Sequence, residues 1–196
     1  MTGAFGLPLA LVGKEAFGAD RLVARLRAGD LLALGEAYDA HHVHVRAFAQ
    51  RLVGDDSAAE DLVQETFLAL PRALIGFRDD ASLRTFLISV TVNHARHHVR
   101  AAVRRRAAIV RLAREPQRVS LGPDRDAERA QLAAALVRAL DTLPVEQRVA
   151  IVLCEVEERT SPEVALITGV PEGTVRTRVL HAKHKLVEAL AKEGVP

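Results

Sequence analysis

The chain contains no tryptophan, one tyrosine, one methionine and a single cysteine in 196 residues. A lone cysteine, Cys154, rules out a disulfide within the chain and fits a reducing compartment. Its place beside Leu153 marks it as a small core residue rather than a reactive thiol. Aromatic residues amount to only 4%, so any core must come from leucine, valine and alanine, which suits packed helices. Hydrophobic residues still make up 49% of the chain, which excludes global disorder. A long apolar run is also missing. The stretch Ala4–Val12 is too short to cross a bilayer and has no Lys or Arg before it, so neither membrane insertion nor a signal peptide is expected. Residues 1–19 read as an N-terminal extension, and the expected location is cytoplasmic.

The signatures of catalysis are absent as well. The sequence has no P-loop, no GxSxG and no carboxylate pair with a credible base, so no catalytic residue and no cofactor are expected. Eight histidines raise the question of a metal. His94 and His98 are spaced i, i+4, and His41, His42 and His44 cluster earlier, but there is no HExxH and no identifiable third ligand, so no metal site is expected.

What the chain does have is segregated charge. The formal net charge is only +2, but Asp55–Asp80 holds seven acids against two arginines, and Arg84–Arg118 holds nine arginines against one acid. Adjacent blocks of opposite sign imply two partner surfaces, the basic one suited to a polyanion.

Apolar spacing is helical nearly throughout, with no convincing period-two alternation, so an all-α fold is expected. A first helical stretch covers about 20–52, interrupted near Gly29. GDDS (54–57) is a turn, with Ser57 and Glu60 placed as a capping box for the next helix. That helix carries Val63, Phe67, Leu70 and Leu74 as a core stripe, and Asp61, Gln64, Glu65 and Leu68 on a second face. Ser82 can cap a further helix whose buried face holds Leu83, Phe86, Leu87 and Val90. Arg96, Arg100 and Arg104 then repeat every four residues as a basic stripe. Around EPQRVSLGPDRD (115–126) the periodicity fails, as in a flexible linker. It resumes with Leu132, Leu136, Leu140 and Leu143, and after Pro144 with Val149, Val152, Leu153 and Val156. The expected architecture is two small helical domains, 20–112 and 128–196, joined by a linker at 113–127.

Thr160 and Glu163 form a second capping box, Gly169 can take the positive φ of a tight turn, and a last helix runs to about Lys192. In that helix Val175, Val179, Ala182 and Leu186 share one face. The opposite face presents Arg176, Thr177, Leu180, His181 and His184. A short helix, a glycine turn and a second helix with a basic and polar outer face make a helix-turn-helix, suited to the major groove.

LDTLPVEQRVAIVLCEVEERTSPEVALITGVPEGTVRTRVLHAKHKL (140–186) resembles region four of the extracytoplasmic-function sigma factors of bacterial RNA polymerase. The LP-x-x-x-R opening (143–148) and GTVRTR (173–178) fall in the family's order. The resemblance implies −35 promoter contacts from Arg176, Thr177, Leu180 and His181. AEDLVQETFLAL (59–70) resembles the polymerase-binding helix of region two, which implies that Asp61, Gln64 and Glu65 bind the β′ clamp helices. FRDDASLRTFLISVTVNHARHHVRAAVRRR (77–106) resembles the promoter-melting segment. It implies −10 contacts from Phe77, Arg78, Asp79, Asp80 and Ser82 in a loop, and from Asn93, Arg96 and Arg100 on the helix. The family usually has Trp where this chain has Phe86. The partners so implied are core polymerase (β′ clamp helices and β flap), promoter DNA and an anti-sigma factor. The alternative reading is a one-component regulator that binds DNA through the helix-turn-helix without polymerase.

Overall fold

The computed structural model describes residues 18–76, 82–112 and 125–194. Among these residues there are helices and turns but no strand. The N-terminal helices are α1 (Gly18–Arg27), α2 (Leu31–Val53), α3 (Asp56–Ala73) and α4 (Leu83–Leu112), with a 3₁₀ turn at Leu74–Gly76. After the linker come α5 (Arg125–Asp141), α6 (Val145–Ile151), a π turn at Val152–Val156, α7 (Ser161–Thr168) and α8 (Glu172–Lys192). The start of α5 lies inside the stretch expected to be linker.

Local chemistry sets these boundaries. Gly29, at φ +79°, breaks the first helical stretch as expected. The Asp30 carboxylate then accepts from the amides of Leu32 and Ala33 at 2.8 and 3.3 Å, which starts α2. Gly54, at φ +64°, closes α2, and its N–H donates to Gln50 O. The next cap departs from the expectation at Ser57. Asp55 accepts from Ala58 N at 2.8 Å, so α3 begins two residues earlier than a Ser57–Glu60 capping box would place it. Asp55 follows the left-handed glycine directly and therefore meets the free amides first.

Helices α2, α3 and α4 pack around Phe48, Leu52, Leu62, Phe67, Leu70 and Leu87, all at most 4% exposed. Each such side chain contributes about 1.5–3 kcal/mol by leaving water. The expected stripe on α4 is buried throughout: Leu83, Phe86, Leu87 and Val90. Three hydroxyls lie in this core and all are satisfied, Ser89 donating to Phe86 O at 2.7 Å. Thr66 donates to Leu62 O, Thr91 donates to Leu87 O, and the two meet at 3.2 Å.

The C-terminal half departs from the expected pattern twice. Leu132 and Leu136 are 52% and 44% exposed, while Ala135 and Ala139 are buried. Small residues on that face let α5 approach its neighbours closely, so these two leucines face outward, while Leu140 is half-buried and Leu143 buried. Val156, expected inside with Val149, Val152 and Leu153, is 52% exposed. The π turn causes this: Glu157 N donates five residues back to Val152 O at 3.0 Å, which shifts the helical phase.

The halves share one core. Val149, Val152, Leu153, Val164, Ile167 and Val175 belong to the same apolar cluster as the side chains of α2–α4. Both α6 and α7 lie against α4.

Candidate nucleic-acid and partner interfaces

The acidic face of α3 is the first candidate. Val63, Phe67 and Leu70 are buried, and this fixes the helix's rotation. Asp61, Gln64 and Glu65 then project outward beside Leu68, which is 75% exposed. All three residues expected to bind polymerase therefore share one accessible face. Two histidines of α4 reach the same carboxylate: Glu65 Oε2 lies 3.0 Å from His98 Nε2 and 3.4 Å from His94 Nδ1. The His98 ring holds the Glu65 carboxyl below the usual carboxylate range against the opposing effect of burial, and His94 and His97 reinforce it.

The basic stripe of α4 is the second. Arg96, Arg100 and Arg104 are exposed along one side, and Asn93 is exposed a turn before them. Arg96 is ion-paired with Glu146 of α6. Of the residues expected in the melting loop, Phe77, Arg78, Asp79 and Asp80 lie outside the described residues. Ser82 is described and is exposed. Its Oγ accepts from Thr85 N at 3.2 Å, the expected cap of α4.

The third candidate is α7–α8. Thr160 and Glu163 make the expected reciprocal cap, with Thr160 N donating to Glu163 Oε2 at 2.8 Å. Gly169, at φ +68°, ends α7 through its N–H to Ala165 O. Val175 and Ala182 are buried, Val179 and Leu186 half-buried. Arg176, Thr177, Leu180, His181 and His184 consequently share the outward face, as expected. Arg176 is held by Glu172 one turn back at 2.6 Å, and Thr177 Oγ1 donates to Gly173 O at 2.8 Å. Lys183 pairs with Glu155 at 2.9 Å. A groove beside this face is lined by Arg176, Leu180, Lys183 and Cys154. Cys154 is half-buried there rather than fully in the core, and burial pushes its thiol up, away from the reactive thiolate. Among the described residues no group of three or more His, Cys, Asp or Glu is arranged to hold a metal.

Sequence reasoning missed one cluster. Arg148, the arginine of LP-x-x-x-R, is 1% exposed. It donates to Leu52 O of α2 at 2.9 Å, to Leu140 O at 3.0 Å and to Asp141 Oδ1 at 2.6 Å. Arg106 of α4 grips the same carboxylate at 2.5 and 2.6 Å and donates to Val53 O at 2.8 Å. Burial lowers the guanidinium pKa of Arg148, and Asp141 opposes it. The motif spacing flagged the residue. A partner across 96 positions of chain, Leu52 O, has no local signal.

These surfaces match known proteins in the same order. Residues 37–105 match Sigma-70 region 2, and residues 133–186 match Sigma-70, region 4. The ECF RNA polymerase sigma factor SigM of Mycobacterium tuberculosis is 31% identical over 169 residues, covering 86% of this chain and 83% of the relative. The ECF RNA polymerase sigma-E factor of Escherichia coli is 30% identical over 173 residues, covering 84% of this chain and 90% of that one. Among solved structures, CnrH in complex with the cytosolic domain of CnrY superposes with a TM-score of 0.61 at 25% identity. It covers 89% of this chain and 97% of CnrH. The sigma factor RpoE of Bartonella quintana, in complex with the anti-sigma factor NepR, gives 0.50 at 27% identity over 76% and 90%. With both regions matched in order and relatives at this identity along most of their length, the chain belongs to the sigma-70 family, as an extracytoplasmic-function sigma factor of RNA polymerase.

Proposed function

We propose that this sigma factor positions core polymerase through the outer face of α3, opens and holds the −10 element along α4, and reads the −35 element with α8. One observation carries this reading. A single chain exposes an acidic face on α3 and a basic, polar face on a helix-turn-helix, inside segments matching regions 2 and 4. In this assignment residues 20–112 form the domain for polymerase and the −10 element, and 128–196 the −35 domain, joined across 113–127. Asp61, Gln64 and Glu65 meet basic groups of the β′ clamp helices, while the C-terminal domain meets the β flap. Phe77–Asp80, Ser82 and Asn93 take up unstacked bases, and Arg96 and Arg100 follow the backbone. Arg96 must leave Glu146 to do so.

Bond-making chemistry in this reading belongs to the polymerase, and the sigma factor supplies binding energy and position. No helix among the described residues is long and apolar enough to cross a membrane. The setting is the cytoplasm, where polymerase and promoter are. An anti-sigma factor is a further partner, supported by the solved RpoE–NepR complex.

The decisive experiment is binding of Asp61→Arg/Glu65→Arg to core polymerase. Both side chains are exposed, so circular dichroism stays normal while core affinity falls at least tenfold, a loss of about 1.4 kcal/mol. Unchanged affinity in a folded variant refutes the docking face. Tight, promoter-specific DNA binding without polymerase would instead favour the one-component regulator.

A further inference from the structure

His94, His97 and His98 have no part in the reading above, yet they stand against its docking face. His98 is buried, with an 8% exposed side chain, and its Nε2 lies 3.0 Å from Glu65 Oε2 without the alignment of a hydrogen bond and has no other hydrogen-bond partner. His94, one turn earlier on α4, approaches the same oxygen at 3.4 Å. The His97 ring packs edge-on against His98 with centroids 5.6 Å apart. Glu65 keeps half its side chain in solvent. One oxygen therefore faces the protein while the rest of the carboxylate faces outward. Of the charged groups acting on Glu65, all three from α4 are histidines. On its own helix the nearest acid of the docking face is Asp61, one turn back.

We propose that His98, assisted by His94, is a positioning residue for polymerase docking: it fixes the Glu65 carboxylate on the outer face of α3 and sets how much of its negative charge is presented. A buried ring behind one carboxylate oxygen restricts the rotamers of a flexible glutamate. The ordering cost is met during folding rather than on docking. Histidine is also the side chain whose charge changes between about pH 5 and 8. Neutral rings leave the carboxylate's charge available to a basic partner. Protonated rings form an internal ion pair with it, and a partner cation must then compete. The docking contact is therefore weaker where the rings carry charge, while Glu65 itself stays ionised because its carboxyl is held low.

This inference rests on the docking role of α3, and the test separates the two. Core-polymerase binding is measured at pH 8 and pH 6 for the full-length wild type, His94→Gln/His98→Gln, Glu65→Gln and Asp61→Arg/Glu65→Arg. Glutamine retains a polar side chain but does not titrate. Wild type is expected to lose about three- to fivefold more affinity than the double-glutamine variant between the two pH values, the size of one partly exposed ion pair. Glu65→Gln, which keeps both histidines, loses the same extra pH dependence. Two further measurements need no polymerase. Circular dichroism reports folding of each variant. The Glu65 carboxyl titration, followed by NMR, moves back up toward the ordinary range in His98→Gln. Equal pH dependence in wild type and the histidine variants overturns the inference while docking stands. An unmoved Glu65 titration also overturns it, and His94→Gln carries this arm if replacing the buried ring prevents folding. Unchanged affinity of folded Asp61→Arg/Glu65→Arg removes the docking role, and this inference with it.

Discussion

Asp141 is the acid that two guanidinium groups share, and replacing it tests how the halves are held together. In Asp141→Asn the amide oxygen can still accept one hydrogen bond, but the negative charge between Arg106 and Arg148 is gone. Arg148, 1% exposed, then faces the cation of Arg106 across a neutral group. Removing one partner of a buried ion pair costs about 3–5 kcal/mol. The lower end applies here, because Arg148 keeps its bonds to Leu52 O and Leu140 O. A loss near 3 kcal/mol is a large part of an ordinary domain's stability of about 5–15 kcal/mol. For a chain of this length it lowers Tm by roughly 6–12 °C. Thermal melts and urea titrations by circular dichroism measure both quantities. Arg106→Gln is expected to cost less, because it leaves the more deeply buried Asp141–Arg148 pair intact. Asp141→Asn/Arg148→Met is expected to lose less than the sum of its single changes, since no unpaired buried cation remains. A loss below about 0.5 kcal/mol for Asp141→Asn, within the range of ordinary surface changes, or strict additivity in the double variant, would refute this account.

Other outcomes follow from the caps and from the last helix. Arg176→Ala should lower transcription from a −35-dependent promoter and relax sequence preference by about 1–3 kcal/mol if it reads a guanine edge. Replacing Lys183 and Lys185 should instead weaken binding alike on all sequences and flatten its salt dependence. Holoenzyme binding to a library randomised at the −35 element distinguishes the two. Gly54→Ala places a side chain at φ +64° with its Cβ 3.0 Å from Val137 Cγ1. A loss of at least about 1–2 kcal/mol in urea titration is expected from the backbone conformation alone. Glu163→Gln should cost roughly 1 kcal/mol at neutral pH by weakening the cap of α7. Backbone and hydroxyl groups of Thr160 hold that carboxyl below its ordinary range. Its contribution is therefore present above the unfolded-state pKa and lost as pH falls through the folded one. Melts of variant and wild type should converge only in acid, and a constant difference down to the acid limit would contradict the assignment.

Much of this was legible because it is local. Gly29 and Gly169 broke helices where the pattern faltered, and the Thr160–Glu163 cap is a property of four consecutive residues. The outward sides of α3 and α8 followed from the apolar stripes that turn inward. Misreadings arose where two signals competed or where the deciding contact was remote. Ser57 was read as the cap, but Asp55, directly after the left-handed Gly54, takes that place. Leu132 and Leu136 looked like core until Ala135 and Ala139 supplied the closer-packing face. Arg148 was visible as a motif letter, but its role depends on a carbonyl of α2. The approach of His98 to Glu65 depends in the same way on how α4 lies against α3.

Around the π turn at Val152–Val156 the number of residues, rather than their identity, is the sensitive quantity. An α-helix turns by about 100° and rises 1.5 Å for each residue. A π turn holds one residue more than an α turn over nearly the same rotation and rise. Deleting one residue here would let the helix close with regular bonds and leave Thr160, α7 and α8 nearly where they are. Deleting one from the regular turns of α6 instead, between Val145 and Ile151, would swing them by about that angle around its axis. The outward face of α8 would then point elsewhere relative to α4, although no residue of that face had changed. The π turn is thus a length of slack in an otherwise fixed ruler, the place where this segment can lose a residue and keep the angle between the two halves.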